Sequence, residues 1–126
     1  MEKKKILLVD DDIIFQAIAI SLLSDEYSVL PSQSGMDALE ILINHVPDLI
    51  LLDIILPGMN GWEIFRRIKG MTLLHDIPII FISSMAKEEG LEHAKQIGAM
   101  GYIVKPINKE DITNAIEKVL SGEKFF

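Results

Sequence analysis

Residues 6–12 read Ile6-Leu7-Leu8-Val9-Asp10-Asp11-Asp12, and residues 49–53 read Leu49-Ile50-Leu51-Leu52-Asp53. Each is an unbroken apolar run that stops on carboxylates. A run without alternation suits a strand buried on both faces, as in a parallel sheet with helices above and below it. Three more short runs, Tyr27-Ser28-Val29-Leu30, Ile79-Ile80-Phe81-Ile82 and Tyr102-Ile103-Val104, make a set of five. Helical spacing follows each one: Phe15, Ile18, Ala19, Leu22 and Leu23; Ala38, Leu39, Leu42 and Val46; Gly61, Ile64, Phe65 and Ile68; Leu91, Ala94 and Ile97; Ile112, Ala115, Ile116, Val119 and Leu120.

The pattern predicts an α/β chain of five β-α units. The second run is the most polar and meets Pro31, whose missing N–H is tolerated at a sheet edge but not at its centre. A doubly wound, flavodoxin-like three-layer sandwich with parallel strand order 2-1-3-4-5 puts that strand at an edge. An eight-stranded barrel needs about 250 residues, and the chain has 126. Asp12, Asn60 and Asn108 are placed to cap helices, Gly98 to end one, and residues from Gly122 onward read as a fraying tail. Residues 1–126 are expected to form a single domain with a core at about 4–121 and no second, output domain.

Composition removes several classes of function. The chain has no Cys, which excludes thiol catalysis, disulfides and Cys-based metal sites. With 12 basic and 19 acidic residues the formal charge is −7, contrary to the basic patch that nucleic acid requires. The run Lys3-Lys4-Lys5 reads as a solvated strand edge. No apolar stretch approaches the ~20 residues of a membrane span, and the expectation is a cytoplasmic protein that contacts neither nucleic acid nor membrane.

In the order 2-1-3-4-5 the strand order reverses between the first and third strands, and ligands bind outside the carboxyl ends of strands at that point. Asp10, Asp11 and Asp53 should therefore converge there, because neighbouring strands lie about 4.8 Å apart. Clustered carboxylates need a cation, and an all-oxygen set favours Mg²⁺. Lys105 at the end of the fifth strand adds positive charge, and Ser83 at the end of the fourth adds a hydroxyl. A carboxylate can act as a nucleophile toward phosphorus, so the set reads as a site for phosphoryl transfer to Asp53.

These residues, in this order, resemble the response-regulator receiver domain of the CheY type, the phosphoacceptor module of two-component signalling. The resemblance covers residues 4–121. It rests on the two stretches quoted above together with Leu56-Pro57-Gly58-Met59-Asn60-Gly61, Ile82-Ser83-Ser84 and Gly98-Ala99-Met100-Gly101-Tyr102-Ile103-Val104-Lys105-Pro106. It implies that Asp53 takes a phosphoryl group from a sensor histidine kinase or a histidine phosphotransfer protein. It implies Mg²⁺, or Mn²⁺ in its place, on Asp11, Asp53 and the backbone carbonyl of Ile55, with Asp10 assisting through water. Lys105 would pair with phosphoryl oxygens, and the Lys105-Pro106 peptide is often cis in this family. Ser83 and Tyr102 match its switch pair: Ser83 would move toward the phosphoryl group and Tyr102 would turn inward. The surface of the fourth helix, fifth strand and fifth helix would then change toward a downstream protein, from a monomer or a phosphorylation-dependent dimer.

Ser83 replaces the more usual Thr, Asn60 a frequent acid, and Ile107 a frequent aromatic. Ile55 and Met85, two residues beyond the acceptor and the switch hydroxyl, are apolar where the family's hydrolytic water passes, so a long-lived phosphoryl mark is expected. The chain is read as a regulator and not an enzyme. A small phosphohydrolase would want a second acid where Ile55 stands, and a receiver-like scaffold that is never phosphorylated would not need Asp11, Asp53, Ser83 and Lys105 intact. His45, His75 and His93 lie away from the strand ends and read as surface or capping residues.

Overall fold

The computed structural model describes residues 2–126. Five strands and five helices alternate: β1 Lys4–Val9, α1 Ile13–Leu23, β2 Tyr27–Ser32, α2 Gly35–Asn44, β3 Leu49–Leu52, α3 Gly61–Lys69, β4 Ile79–Ser83, α4 Lys87–Ile97, β5 Gly101–Val104 and α5 Lys109–Leu120. Every strand pairing is parallel and the order is β2-β1-β3-β4-β5, as the apolar runs predict. Among the described residues no helix is long and apolar enough to cross a membrane.

Side chains alternate across the sheet, and the two sets feed two cores. Leu7, Val9, Ile50, Leu52, Ile79 and Phe81 pack with α2, α3 and α4; Ile6, Leu8, Leu49, Leu51, Ile80 and Ile82 pack with α1 and α5. Both faces of β3 and β4 are buried, which is why these segments carry no polar alternation. β2 is an edge strand, and it continues through Pro31, which lies beside Leu8. β1 begins at Lys4, so two of the three clustered lysines stand, exposed, at the start of a strand.

Three helix starts are capped as expected. Asp12 Oδ1 accepts from the amides of Ile14 and Phe15, Asn60 Oδ1 from Glu63, and Asn108 Oδ1 from Asp111. Ser34 caps α2 in the same way, and Gly98 ends α4 in the left-handed conformation.

Three local expectations are corrected. Ile18 does not belong to the core: it is 49% exposed, and the inward face of α1 carries Phe15, Gln16, Ala19 and Leu23. Val46 lies beyond the end of α2 and is exposed. The segment after Gly122 does not fray, because Phe125 pairs with Gly101 at the free side of β5 and satisfies backbone groups there.

The contrast between helix faces gives a stability test. Ile64→Ala, at a fully buried position of α3, should cost about 2–5 kcal/mol. Ile18→Ala should cost less than about 1 kcal/mol. Urea unfolding of the two variants checks this, and similar losses would contradict the assignment of faces.

Candidate functional site

β1 and β3 are neighbours in register, Val9 beside Leu52, so the residues that follow them emerge together. The carboxylate oxygens of Asp10, Asp11 and Asp53 lie within 4.8 Å of one another. Asp10 and Asp53 are buried, whereas Asp11 faces solvent. From the end of β5, Lys105 reaches both buried acids, with Nζ 2.6 Å from Asp10 Oδ2 and 3.2 Å from Asp53 Oδ2. The remaining oxygens are held by backbone: Asp10 Oδ1 accepts from the Asp12 amide at 2.9 Å, and Asp53 Oδ1 from the Ile55 amide at 3.2 Å.

One ammonium therefore faces three carboxylates. Burial pushes the Asp10 carboxyl above its usual range, against the lowering effect of Lys105 and the Asp12 amide, and the charge of Asp53 pushes the same way as burial. Burial by itself would lower Lys105, but its hydrogen bond to Asp10 and the two acidic charges prevail and hold the ammonium above its ordinary value. The net charge is still negative, and every side-chain donor atom in the acidic cluster is oxygen. Such a set fits a hard divalent cation, which prefers carboxylate and carbonyl oxygens.

The other predicted residues lie close by in the fold but form a separate group. Ser83 is buried at the end of β4, and its Oγ accepts a long hydrogen bond from the Met85 amide at 3.3 Å. Tyr102 already points inward: it is 1% exposed, and its hydroxyl donates to the Met85 carbonyl at 2.8 Å. Gly90 of α4 makes room for it, since a Cβ there would lie 2.5 Å from the Tyr102 hydroxyl. Burial, then the charges of Glu89 and Asp53, raise the Tyr102 pKa. Both polar groups of the Met85 backbone are thus tied to this pair. Ile55 offers its amide to Asp53 and an exposed side chain to solvent. The Lys105–Pro106 peptide is cis.

Two supporting residues escape a reading by pattern. Buried Gln16 donates through Nε2 to the carbonyls of Asp10 and Ser32, both at 2.8 Å, and so ties the acidic loop to β2. The Phe15 ring lies under the ammonium of Lys105, 4.1 Å from Nζ to its centroid, within range of a cation–π attraction. A polar residue between Phe15 and Ala19 was the available signal for Gln16. The His93 ring meets Trp62 edge-on, 4.5 Å between centroids.

The family model described as the response regulator receiver domain matches residues 6–117. The chain is 31% identical to the sporulation initiation phosphotransferase F of Bacillus subtilis, over 95% of this chain and 96% of that protein. It is 33% identical to the chemotaxis protein CheY of Halobacterium salinarum, over 94% and 98%. It is 36% identical to the phosphate regulon transcriptional regulatory protein PhoB of Pseudomonas aeruginosa, of which it spans about half, 53%. Among solved structures, chemotaxis protein CheY4 of Vibrio cholerae superposes with a TM-score of 0.87 at 28% identity, covering 94% of this chain and 99% of that one.

Burial of the Asp10 carboxyl sets the sign of a pH dependence. Because its pKa is raised, the native state holds this proton more tightly than the unfolded chain does, and stability falls as pH rises from the usual carboxylate range through the raised value. The raised pKa of Lys105 acts only at alkaline pH, where its contribution is lost. In metal-free buffer Asp10→Asn should unfold at a higher urea concentration than wild type at neutral pH, with a gap that shrinks on acidification. A destabilised variant, or a gap that does not vary with pH, would contradict the assignment.

Proposed function

The chain belongs to the response regulator receiver family, the regulatory modules of two-component systems, and from that premise we propose that it takes a phosphoryl group onto Asp53 from a phosphohistidine on a sensor kinase or phosphotransfer protein. The observation that carries this reading is the ammonium of Lys105 between Asp10 and Asp53, with Asp11 at the mouth of the same crevice.

An Asp53 carboxylate oxygen attacks phosphorus as the P–N bond to the donor imidazole breaks. The imidazole keeps the bonding electrons and takes up a proton, and Asp53 becomes an acyl phosphate. Lys105 follows the developing charge, exchanging part of its ion pair with Asp53 for the phosphoryl oxygens. The Ile55 amide, already on Asp53 Oδ1, keeps the nucleophile oriented. Asp11, Asp53 and the Ile55 carbonyl would hold Mg²⁺, or Mn²⁺ in its place, with Asp10 assisting through water. When bound, that ion supplies positive charge to the same phosphoryl oxygens.

The phosphoryl group brings about −1.5 to −2 charges and new acceptor oxygens. Ser83 can turn from its long bond with the Met85 amide to donate to one of them. Met85 then loses one of two ties, while the Tyr102 hydroxyl keeps the other. The switch is thus read at the Met85 backbone with Tyr102 held inward, and it shifts the population of the α4–β5–α5 surface. The exposed apolar side chain of Ile55 offers no group to orient a hydrolytic water.

With a small phosphodonor and Mg²⁺, the wild type should gain the mass of one phosphoryl group and Asp53→Asn none. A wild type that gains nothing, or equal gain in the variant, would overturn the role of Asp53. In the same assay Ile55→Asn should shorten the life of the phosphorylated form; an unchanged decay rate would remove Ile55 from the account.

A further inference from the structure

β5 is the outer strand of the sheet opposite β2, and an edge strand exposes backbone donors and acceptors that invite another strand. Here the chain's own residues take that place. The Phe125 amide donates to the Met100 carbonyl at 2.9 Å, and the Phe125 carbonyl accepts from the Tyr102 amide at 3.1 Å, forming a parallel bridge at Gly101. Gly101 permits the approach, because a Cβ there would lie 2.9 Å from the Phe125 carbonyl oxygen.

Successive side chains of an extended segment point to opposite faces of a sheet, and these two aromatics do so. Phe125 packs with the α1 and α5 core, Phe126 with the core under α2, α3 and α4. Three ammonium groups frame the segment. Lys118 of α5 lies 5.9 Å from the Phe125 ring centroid, Lys95 of α4 lies 5.3 Å from that of Phe126, and Lys87 Nζ donates to the Phe126 main-chain oxygen at 3.3 Å.

The grip is short. Two backbone bonds join the segment to Met100 and Tyr102, and both aromatic residues remain partly exposed. We propose that the β5 edge is a docking edge for an extended peptide segment with two consecutive aromatic residues beside acidic ones, and that Glu123–Phe126 occupies it in cis as a competitor. Backbone pairing supplies affinity in strand addition, and side chains on alternate faces supply specificity. Lys87, Lys95 and Lys118 favour acidic flanks over basic ones. The edge includes the amide of Tyr102, the residue placed in the switch above, so a ligand here would bear directly on it. A chain that never carried a phosphoryl group would hold this segment in the same way.

Amide hydrogen exchange on the full chain and on the full-length double variant Phe125→Ser, Phe126→Ser tests this. The Tyr102 amide should be slowed in wild type and exchange about tenfold or more faster in the variant. The Met100 amide, which donates to Ile79 inside the sheet, should stay protected in both and reports that the variant is folded. A capped peptide Glu-Glu-Phe-Phe should shift the Gly101 and Tyr102 resonances of the variant at concentrations that leave wild type unmoved, and more strongly than Lys-Lys-Phe-Phe. Equal Tyr102 exchange in both proteins, equal peptide response in both, or a preference for the basic peptide would overturn the proposal.

Discussion

The ammonium of Lys105 lies between two carboxylates that the fold has taken out of water, and the crevice depends on this contact. Asp10 and Asp53 end adjacent parallel strands, so the sheet that buries the apolar core also forces two like charges together. Buried like charges are tolerated only with a counter-charge close by. Lys105 arrives from a strand two positions beyond β3 in the sheet, and its ammonium lies over the Phe15 ring. Gln16, one residue on, anchors the Asp10 carbonyl to β2. One turn of α1 therefore supports both the base of the ammonium and the backbone of the acid it pairs with.

Much of this was legible in the chain itself because the constraints are coarse. Continuous apolar runs require burial on both faces, Pro31 requires an edge, and strand order then decides which strand tips meet. The acidic cluster and Lys105 follow from topology once the first, third and fifth runs are seen to stop on charged residues. What escaped reading depends on finer physics. Ile18 and Gln16 are close together on α1, and only tertiary packing decides that the polar one is buried, satisfied by two carbonyls. The inward Tyr102 depends on a glycine in a different element, Gly90, which no periodicity links to it.

The two edges of the sheet are protected in different ways. β2 runs through Pro31, which has no N–H to offer a further strand, a local device visible in sequence. β5 carries no such residue and is covered by Phe125 and Phe126, whose role could not be read from two aromatics alone. Covering β5 also places an exchangeable contact on the strand that holds both Tyr102 and the approach to Lys105. The acidic crevice and the outer edge of the sheet are thus joined by four residues of one strand, Gly101–Val104.

Three carboxylates against one ammonium leave an uncompensated negative charge, and the account requires that a divalent cation relieve it. Calorimetric titration of the chain with Mg²⁺ at neutral pH tests this requirement most directly, alongside Asp11→Ala, whose position is solvent-exposed and outside both cores. The account predicts one ion bound per chain in wild type and loss of that binding in the variant. No binding in wild type, or binding of equal strength without Asp11, would contradict it.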